Sequence, residues 1–181
     1  MKYTAEQLDI IKKGKEYLKS IRTLKRERFH LLEEYDDIPS PHSPSFEENK
    51  GISISQISRF NDYTQKRDLL LKKIELFNQY IDQFVLYTVY LSSRQRQIIN
   101  IYLEAPSYQE MIDQLENKYY ISISTYKREL PEICLALSHI IDFDDLPTLD
   151  KLNQIFYLKY VKKWYDRGRR NSLWKKYLSC V

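Results

Sequence analysis

The sequence predicts an all-α protein, and three observations lead to that prediction. The chain has 181 residues, 30% of them charged, yet only three glycines: Gly14, Gly51 and Gly168. Parallel α/β sheets use glycine freely in their tight βα turns, so this scarcity disfavours them. Long charged segments carry apolar residues at the spacing of one helix face. We predict two long amphipathic helices, followed by a helix-turn-helix domain and a basic C-terminal helix.

The first helix is predicted over residues 5–35. Thr4 precedes it, and apolar residues recur at helical steps along it: Ile10, Tyr17, Ile21, Leu24 and Leu31. Gly14 and Arg28 interrupt the same stripe. The segment that follows, DDIPSPHSPSFEENKG, holds three prolines and several serines, which favours a Pro/Ser-rich loop over residues 36–56.

The second long helix is predicted over residues 56–90, with ISISQIS as the loop that enters it. Its apolar stripe is close to a heptad pattern and consists of Phe60, Leu70, Ile74, Phe77, Ile81 and Phe84. Two interpretations stay open. The stripe either packs on the first helix as a core or forms a dimerising coiled coil, so residues 1–90 are a helical hairpin or a coiled coil.

Residues 91–147 are predicted to form a compact helix-turn-helix domain. Ser92 or Ser93 can cap its first helix, which the pair Ala105-Pro106 ends. This helix precedes the two helices of the helix-turn-helix itself.

Serines also introduce the other two helices of this domain. Ser107 is the expected cap of the second helix, with Glu110 completing a capping box three residues later. Ser122 or Ser124 is the expected cap of the third. The apolar residues that should close the pair are Met111, Ile112, Leu115 and Ile121.

The third helix carries polar side chains where DNA would lie. In a helix-turn-helix, short polar residues at the beginning of the second helix meet base edges, while basic residues and the helix dipole meet phosphates. The DNA-binding residues predicted on this basis are Ser122, Ser124, Thr125, Tyr126, Lys127 and Arg128. An ordinary helical bundle shows similar polarity and is the alternative.

Charge is distributed unevenly along the chain. Residues 151–181 hold nine Lys/Arg and one acid, a net charge of +8, whereas residues 91–150 hold five basic and ten acidic residues, a net charge of −5. The C-terminal segment, residues 148–181, is therefore the most cationic part of the chain.

The C-terminal segment is predicted to be a basic, aromatic helix. Its stripe of Leu152, Phe156, Tyr160 and Trp164 would pack on the domain and leave Lys159, Lys162 and Lys163 to solvent. Gly168 would end the helix and free the RGRR stretch. The residues predicted to approach DNA phosphates are Lys162, Lys163, Arg167, Arg169 and Arg170. A solvated basic helix, or docking on an acidic protein, are the alternatives.

The segment LSSRQRQIINIYL…SYQEMIDQL…ISISTYKREL resembles the sigma-region-4-like helix-turn-helix of phage RinA/ArpU-type late transcription regulators. In that family an R-x-R-x-x-I/V helix precedes the pair, and the recognition helix reads I-S-x-S/R-T-x-x-R. The corresponding residues are Arg94, Arg96, Ile99, Ile121, Ser122, Ser124, Thr125 and Arg128. With the two long helices and the loop, the resemblance covers residues 17–141. It implies a DNA-binding activator of late genes, packaging genes in particular, in a phage or mobile element.

Three features depart from that family's pattern. The stretch ENKYY lengthens the connection by about four residues, close to one helical turn, so a longer second helix is expected. Pro131 falls inside the third helix, where it would kink or divide it, unless PEICLALSHII begins a new helix. The +8 segment has no counterpart in the short members of the family.

Patterns for catalysis are nearly absent from the sequence. The three histidines are scattered, Cys134 and Cys180 are far apart, and no Gly-rich phosphate loop occurs. We therefore expect no enzyme, no metal site and no cofactor. No apolar run approaches the ~20 residues that span a bilayer, and no signal peptide is recognisable. Together with the resemblance, this predicts a cytoplasmic protein of a bacterial host cell.

The expected partner is double-stranded DNA at a promoter, with no membrane. Host RNA polymerase and a second copy of the chain are further candidate partners. A small terminase-like DNA-packaging protein is one rival function, for which a ring of subunits would be diagnostic. A sigma-like factor that binds RNA polymerase is another, because a module with a charge of −5 is an unusual sole anchor on DNA.

Overall fold

The structure is a computed structural model that describes residues 3–40 and 54–162. These residues form six α-helices: α1 (Ala5–Asp36), α2 (Ile54–Tyr87), α3 (Ser93–Glu104), α4 (Tyr108–Asp113), α5 (Ile123–Ser138) and α6 (Leu149–Phe156). A 3-10 turn (Thr88–Tyr90) follows α2, and π-helical turns follow α4 (Gln114–Lys118) and α6 (Tyr157–Val161). Strands are absent from the two described ranges, so the predicted all-α class is confirmed.

The long helices begin and end close to their predicted bounds. Thr4 and Gln7 form a reciprocal pair at the beginning of α1, because Thr4 Oγ1 accepts the Gln7 N–H at 3.3 Å and Gln7 Oε1 accepts the Thr4 N–H at 3.0 Å. Helix α2 starts at Ile54, so the prediction of the ISISQIS stretch as a loop was wrong for residues 54–58, which are helical. Neither helix, nor any other described helix, is both long and apolar enough to cross a membrane.

Contacts divide the described chain into two compact units. The first contains residues 3–26 and 79–151, and the second contains residues 27–40, 54–78 and 152–162. This division differs from the three predicted domains, because the first unit combines α3, α4 and α5 with the beginning of α1 and the end of α2. Three short helices bury little apolar surface by themselves, and the long helices supply the additional surface.

The core of the first unit draws residues from each of these helices. Tyr17 of α1 has its ring centroid 6.1 Å from that of Phe84 of α2 and 5.5 Å from that of Phe143, which follows α5. The side chains in this unit with 0% or 1% exposure are Leu18, Ile21, Leu24, Phe84, Ile98, Ile99, Ala105, Met111, Leu115, Ile133, Cys134 and Leu137. The four residues predicted to close the helix pair, Met111, Ile112, Leu115 and Ile121, are at most 5% exposed.

Gly14 has a packing role that the sequence pattern did not indicate. A Cβ atom built at Gly14 would lie 2.8 Å from Cβ and 3.0 Å from Sγ of Cys134 in α5, and 3.1 Å from Cε2 of Phe143. A Cβ contact of 2.8 Å is essentially never seen in proteins, and the other two are unusually tight, so glycine at this position lets α1 approach α5 closely. The interruption of the apolar stripe is thus a point of tight packing.

The second unit places α1 beside α2. Arg67 donates hydrogen bonds to the hydroxyl groups of Tyr35 at 2.5 Å and Tyr63 at 2.6 Å, and Lys66 forms an ion pair with Glu34 at 3.2 Å. The buried apolar residues include Leu31, Leu70, Ile74, Phe77 and Leu152.

One residue of the predicted apolar stripe of α2 is exposed, not buried. Phe60 is 59% exposed, whereas the other five stripe residues are at most 5% exposed. Those five are buried within a single chain, as the core interpretation predicts. Phe60 lies near the beginning of α2, six residues after Ile54.

Pro131 neither divides α5 nor begins a new helix, so these two of the outcomes expected for it were wrong. The helix runs from Ile123 to Ser138 with Pro131 inside it. Proline removes one intrahelical N–H and costs about 3 kcal/mol in a helix interior. Ile133, Cys134 and Leu137 are each 0% exposed on the following turns. We infer that their burial offsets the proline and keeps the helix continuous.

The described part of the C-terminal segment is helical through Lys162. Leu152 is completely buried, and the rings of Phe156 and Tyr160 lie 5.5 Å apart at half-buried positions. Lys159 and Lys162 are exposed, as expected. Trp164 and Gly168, on which the rest of that prediction depends, lie outside the described residues.

Candidate nucleic-acid interface

The turn before α5 is held on both of its sides. Ile121 is 3% exposed, and its N–H donates to the carbonyl of Leu115 at 2.8 Å. Two residues later, the N–H of Ile123 donates to Oε1 of Glu116 at 3.4 Å. Helix α4 continues through the π turn to Lys118, which agrees with the longer helix expected from the ENKYY stretch.

Ser122 is the residue that caps α5. Its Oγ accepts the N–H of Thr125 at 3.2 Å, and lies 2.8 Å from Oγ of Ser124 and 3.0 Å from Oγ1 of Thr125. Three hydroxyl groups therefore meet at the first turn of the helix. Each hydroxyl has one donor and two acceptor positions, so this cluster keeps capacity for an external ligand.

Three of the predicted contact residues share one exposed face of α5. Ser124, Lys127 and Arg128 are exposed and follow the i, i+3, i+4 spacing of a single helix face. Ser122 is also exposed, and Thr125 is half-buried. We call these five residues the α5 surface.

Tyr126 is not part of that surface, and its inclusion among the exposed residues was wrong. Its side chain is 7% exposed and lies on the same side of α5 as Ile133, Cys134 and Leu137, which follow at steps of seven, eight and eleven. Burial is the main cause that raises the pKa of the Tyr126 hydroxyl to about 12. Tyr126 is therefore a core residue.

Helix α3 packs against α5 and against the π turn. Ser92 caps α3 through a capping box with Gln95, and Gln95 Nε2 also reaches Oε2 of Glu129 in α5 at 3.5 Å. Arg94 is exposed at the beginning of α3. Arg96 is half-buried and donates to Oγ of Ser93 at 3.4 Å. The two arginines of the R-x-R pattern thus have different surroundings.

Charge is polarised along α5, although residues 91–150, to which α5 belongs, carry a net charge of −5. Lys127 and Arg128 stand near its beginning, while Asp142, Asp144 and Asp145 follow its end. Helix α5 has 16 residues. At 1.5 Å per residue the two ends are about 24 Å apart, more than twice the Debye length of about 10 Å at 0.1 M salt. The charges of these three aspartates are therefore largely screened from the α5 surface.

Two of these aspartates are also paired with lysines. Lys13 of α1 forms ion pairs with Asp144 at 2.8 Å and Asp9 at 3.5 Å, and Lys151 pairs with Asp145. Lys13, Asp9, Asp142 and Asp144 line a cleft of about 570 Å³ at the end of α5. Within the described part of the chain, no group of three His, Cys, Asp or Glu side chains could hold a metal ion.

Of the residues predicted to bind DNA in the C-terminal segment, the structure describes Lys162. Lys162 is exposed and belongs to the second unit, whereas the α5 surface belongs to the first. Lys163, Arg167, Arg169 and Arg170 lie outside the described residues.

Sequence reasoning missed Tyr120, which is 89% exposed and has a φ angle of 55°. It is the single non-glycine residue with positive φ in the described ranges. Tyrosine rarely adopts this left-handed conformation, and neither periodicity nor composition indicates it in advance.

Comparisons of the chain with protein-family models, with curated proteins and with solved structures find no match. The resemblance noted in the sequence therefore stays a prediction. The case for a function rests on the α5 surface and on the distribution of charge around it.

Proposed function

We propose that the protein is a sequence-specific DNA-binding transcriptional regulator that places the beginning of α5 in the major groove. The observation that supports this most directly is the α5 surface, an exposed polar and basic face at the capped beginning of a helix. Following the resemblance, we propose that it activates late, packaging-related genes of a phage or mobile element.

The α5 surface contains the side chains that such binding needs. Arg128 has a planar guanidinium that can donate two hydrogen bonds to O6 and N7 of one guanine. Ser124 can donate to or accept from a base edge, and Lys127 can neutralise a phosphate. The N–H groups and the positive dipole end of α5 attract phosphate as well.

Nonspecific affinity is assigned to the basic C-terminal segment. The first unit contains an acidic stretch of −5, while residues 151–181 carry +8. Contacts between lysine or arginine and phosphate supply most nonspecific affinity for DNA, and they release counterions. We propose that Lys162 and the basic residues after it bind phosphates outside the site that α5 reads.

The test begins with selection of DNA from the parent genome. Purified protein is incubated with fragmented genomic DNA, bound fragments are sequenced, and the enriched site is footprinted. Enrichment of a promoter region upstream of late genes is the expected result. Equal recovery of all fragments would contradict sequence-specific binding.

Arg128→Ala tests the assignment to α5 on the enriched site. If Arg128 reads a guanine, affinity should fall by ~1–3 kcal/mol and discrimination at one base pair should be lost. Arg59→Ala is the matched control, because Arg59 is an exposed arginine of α2 in the other unit. Equal affinity and base preference in both variants would remove Arg128 from the interface.

A sigma-like factor that binds RNA polymerase is a second candidate function, and one observation favours it. The end of α2 and the 3-10 turn expose four apolar side chains by 50–74%, namely Val85, Leu86, Val89 and Tyr90. Clustered exposed apolar residues are typical of protein-binding surfaces. Binding of purified host polymerase that is abolished by Leu86→Asp, with no DNA site enriched, would favour this function.

A terminase-like packaging protein remains the third candidate. Light scattering of the purified protein addresses it, because a packaging protein of that kind forms a ring of many subunits. A monomer or dimer is the expected result for the regulator.

A further inference from the structure

Tyr120 combines a strained backbone with an almost fully exposed side chain. Its φ angle is 55°, and 89% of its surface is exposed, more than for any other large apolar side chain among residues 58–162. It stands two residues before Ser122, the cap of α5. Its ring therefore projects from the turn that leads directly into the α5 surface.

Folding does not explain a tyrosine at this position. A left-handed residue after a helix is usually glycine, and sometimes asparagine, because a larger Cβ-bearing residue is strained there. An exposed ring buries little apolar surface to offset that strain. Hydrogen bonds of the flanking N–H groups, from Ile121 to Leu115 and from Ile123 to Glu116, hold the turn in place.

The backbone just before Tyr120 is also unusual. Residues Gln114–Lys118 form a π-helical turn, a rare structure that is often found at functional sites. Strained residues likewise cluster at binding sites, where the surrounding structure holds them. The ENKYY stretch, which lengthens the connection between α4 and α5, therefore holds Tyr120 at a fixed position in the turn before α5.

We propose that Tyr120 contacts the phosphate backbone beside the groove that α5 enters, with its hydroxyl donating a hydrogen bond to a phosphate oxygen. This inference rests on the proposed function of the α5 surface. Residues that flank the beginning of a recognition helix face the sugar-phosphate strand, and tyrosine is one of the side chains that bind phosphates there. The ring lies against the adjoining deoxyribose.

The experiment uses the full-length chain and two fluorescent duplexes. One contains the site recovered by genomic selection, and the other is a scrambled duplex of the same length and composition. Tyr120→Phe removes only the hydroxyl, and Tyr120→Asn removes the ring while suiting the left-handed backbone. Tyr90→Asn is the matched control, since Tyr90 is 74% exposed and has a negative φ angle.

Tyr120→Phe should weaken binding to both duplexes by the same factor, about tenfold for a hydrogen bond to a charged group. The factor is equal because phosphate contacts carry no sequence information. The salt dependence should stay unchanged, since neutral tyrosine releases no counterion, whereas Lys127→Gln should reduce it. Tyr120→Asn should weaken binding while raising Tm by about 2–4 °C. Tyr90→Asn should change neither quantity.

Each contrary result has a distinct meaning. If the unaltered protein selects no DNA site, both this inference and the proposed function fail. If it selects a site and Tyr120→Phe binds both duplexes as tightly as before, the phosphate contact alone fails. A loss confined to the selected duplex would assign Tyr120 to a base and also overturn the phosphate contact.

Discussion

Arg22 of α1 donates a hydrogen bond from Nη2 to the main-chain carbonyl of Ala105 at 2.5 Å, and its guanidinium carbon lies 5.0 Å from the centre of the Tyr102 ring. One turn later, Arg26 donates to the carbonyls of Ala105 at 3.4 Å and Pro106 at 2.5 Å. These carbonyls end α3 and lead into α4. Two arginines of the first helix therefore hold the connection on which the placement of α4 and α5 depends.

Arg22→Ala should destabilise the protein by about 1.5–3 kcal/mol, because a part-buried carbonyl loses a charged hydrogen-bond donor. Urea denaturation followed by circular dichroism measures this change. Lys19→Ala, at an exposed position of the same helix, is the control and should be nearly neutral. Equal stability of the two variants would show that Arg26 alone holds the connection.

Gly14→Ala should also destabilise the protein, although alanine is the better helix former. The added Cβ would lie 2.8 Å from Cβ of Cys134. Overpacking of this kind costs about 1–3 kcal/mol, while the gain in helix propensity is at most about 1 kcal/mol. The free energy of unfolding from urea denaturation measures the net effect.

A control variant at an exposed position of α1 separates the two effects of Gly14→Ala, overpacking and helix propensity. Lys12→Ala introduces alanine where there is no close contact, so it should leave stability within about 0.5 kcal/mol. If Gly14→Ala stabilised the protein by about 1 kcal/mol, α1 and α5 would have moved apart without cost, contrary to the packing argument.

Stability should fall at alkaline pH, and buried tyrosines are one cause. Burial raises the pKa of Tyr126 and of Tyr17 to about 12, from 10.0 for an ordinary tyrosine. Between these values the unfolded chain releases protons that the folded chain retains, so stability present below pH 10 is lost as pH rises toward 12. Tyr126→Phe should reduce the slope of unfolding free energy against pH in this window.

The control for the alkaline experiment is Tyr90→Phe, which removes a hydroxyl from a 74% exposed side chain. For this variant, the slope of unfolding free energy against pH should match that of the unaltered protein. If both variants showed the same slope, the ionisation of Tyr126 would not be linked to folding.

Polar substitution in α2 distinguishes a core from a dimer seam. Ile81 is 3% exposed within one chain, so Ile81→Asn should cost about 3–5 kcal/mol through lost packing and a buried amide. Helicity and cooperative unfolding should be lost together, as circular dichroism would report. Leu86→Asn, at a 67% exposed position of the same helix, is the control. A folded, helical Ile81→Asn monomer obtained from a dimeric parent would instead support a coiled-coil seam.

The basic C-terminal segment should steepen the salt dependence of DNA binding. Replacing Arg167, Arg169 and Arg170 together with glutamine should lower the slope of log K against log salt by up to about 0.9 per lost phosphate contact. Substitution is preferable to truncation after Pro147, because truncation would remove the completely buried Leu152.

The matched control replaces three exposed lysines of α1 with glutamine: Lys12, Lys15 and Lys19. It removes the same charge from a surface that is not assigned to DNA, so it should change the slope less. An unchanged slope in the arginine variant, with activation in cells lost, would assign the segment to a protein partner.

Local sequence determined where the helices begin. Ser92, Ser107 and Ser122 each accept the main-chain N–H three residues later, and all three were among the predicted caps. Such an interaction involves only a few consecutive residues, so it needs no knowledge of the rest of the chain. The polar pattern also predicted exposed residues at the beginning of α5, and Ser122, Ser124, Lys127 and Arg128 are exposed there.

Tertiary structure decided which faces are covered. Tyr126 has the polar hydroxyl of a surface residue, but it is buried on the same side of α5 as Ile133. In the sequence, Gly14 only interrupts an apolar stripe. In the structure it packs against Cys134, which is 120 positions away along the chain. The reason is that burial depends on segments distant in sequence, whereas a cap or a helical period depends on neighbours along the chain.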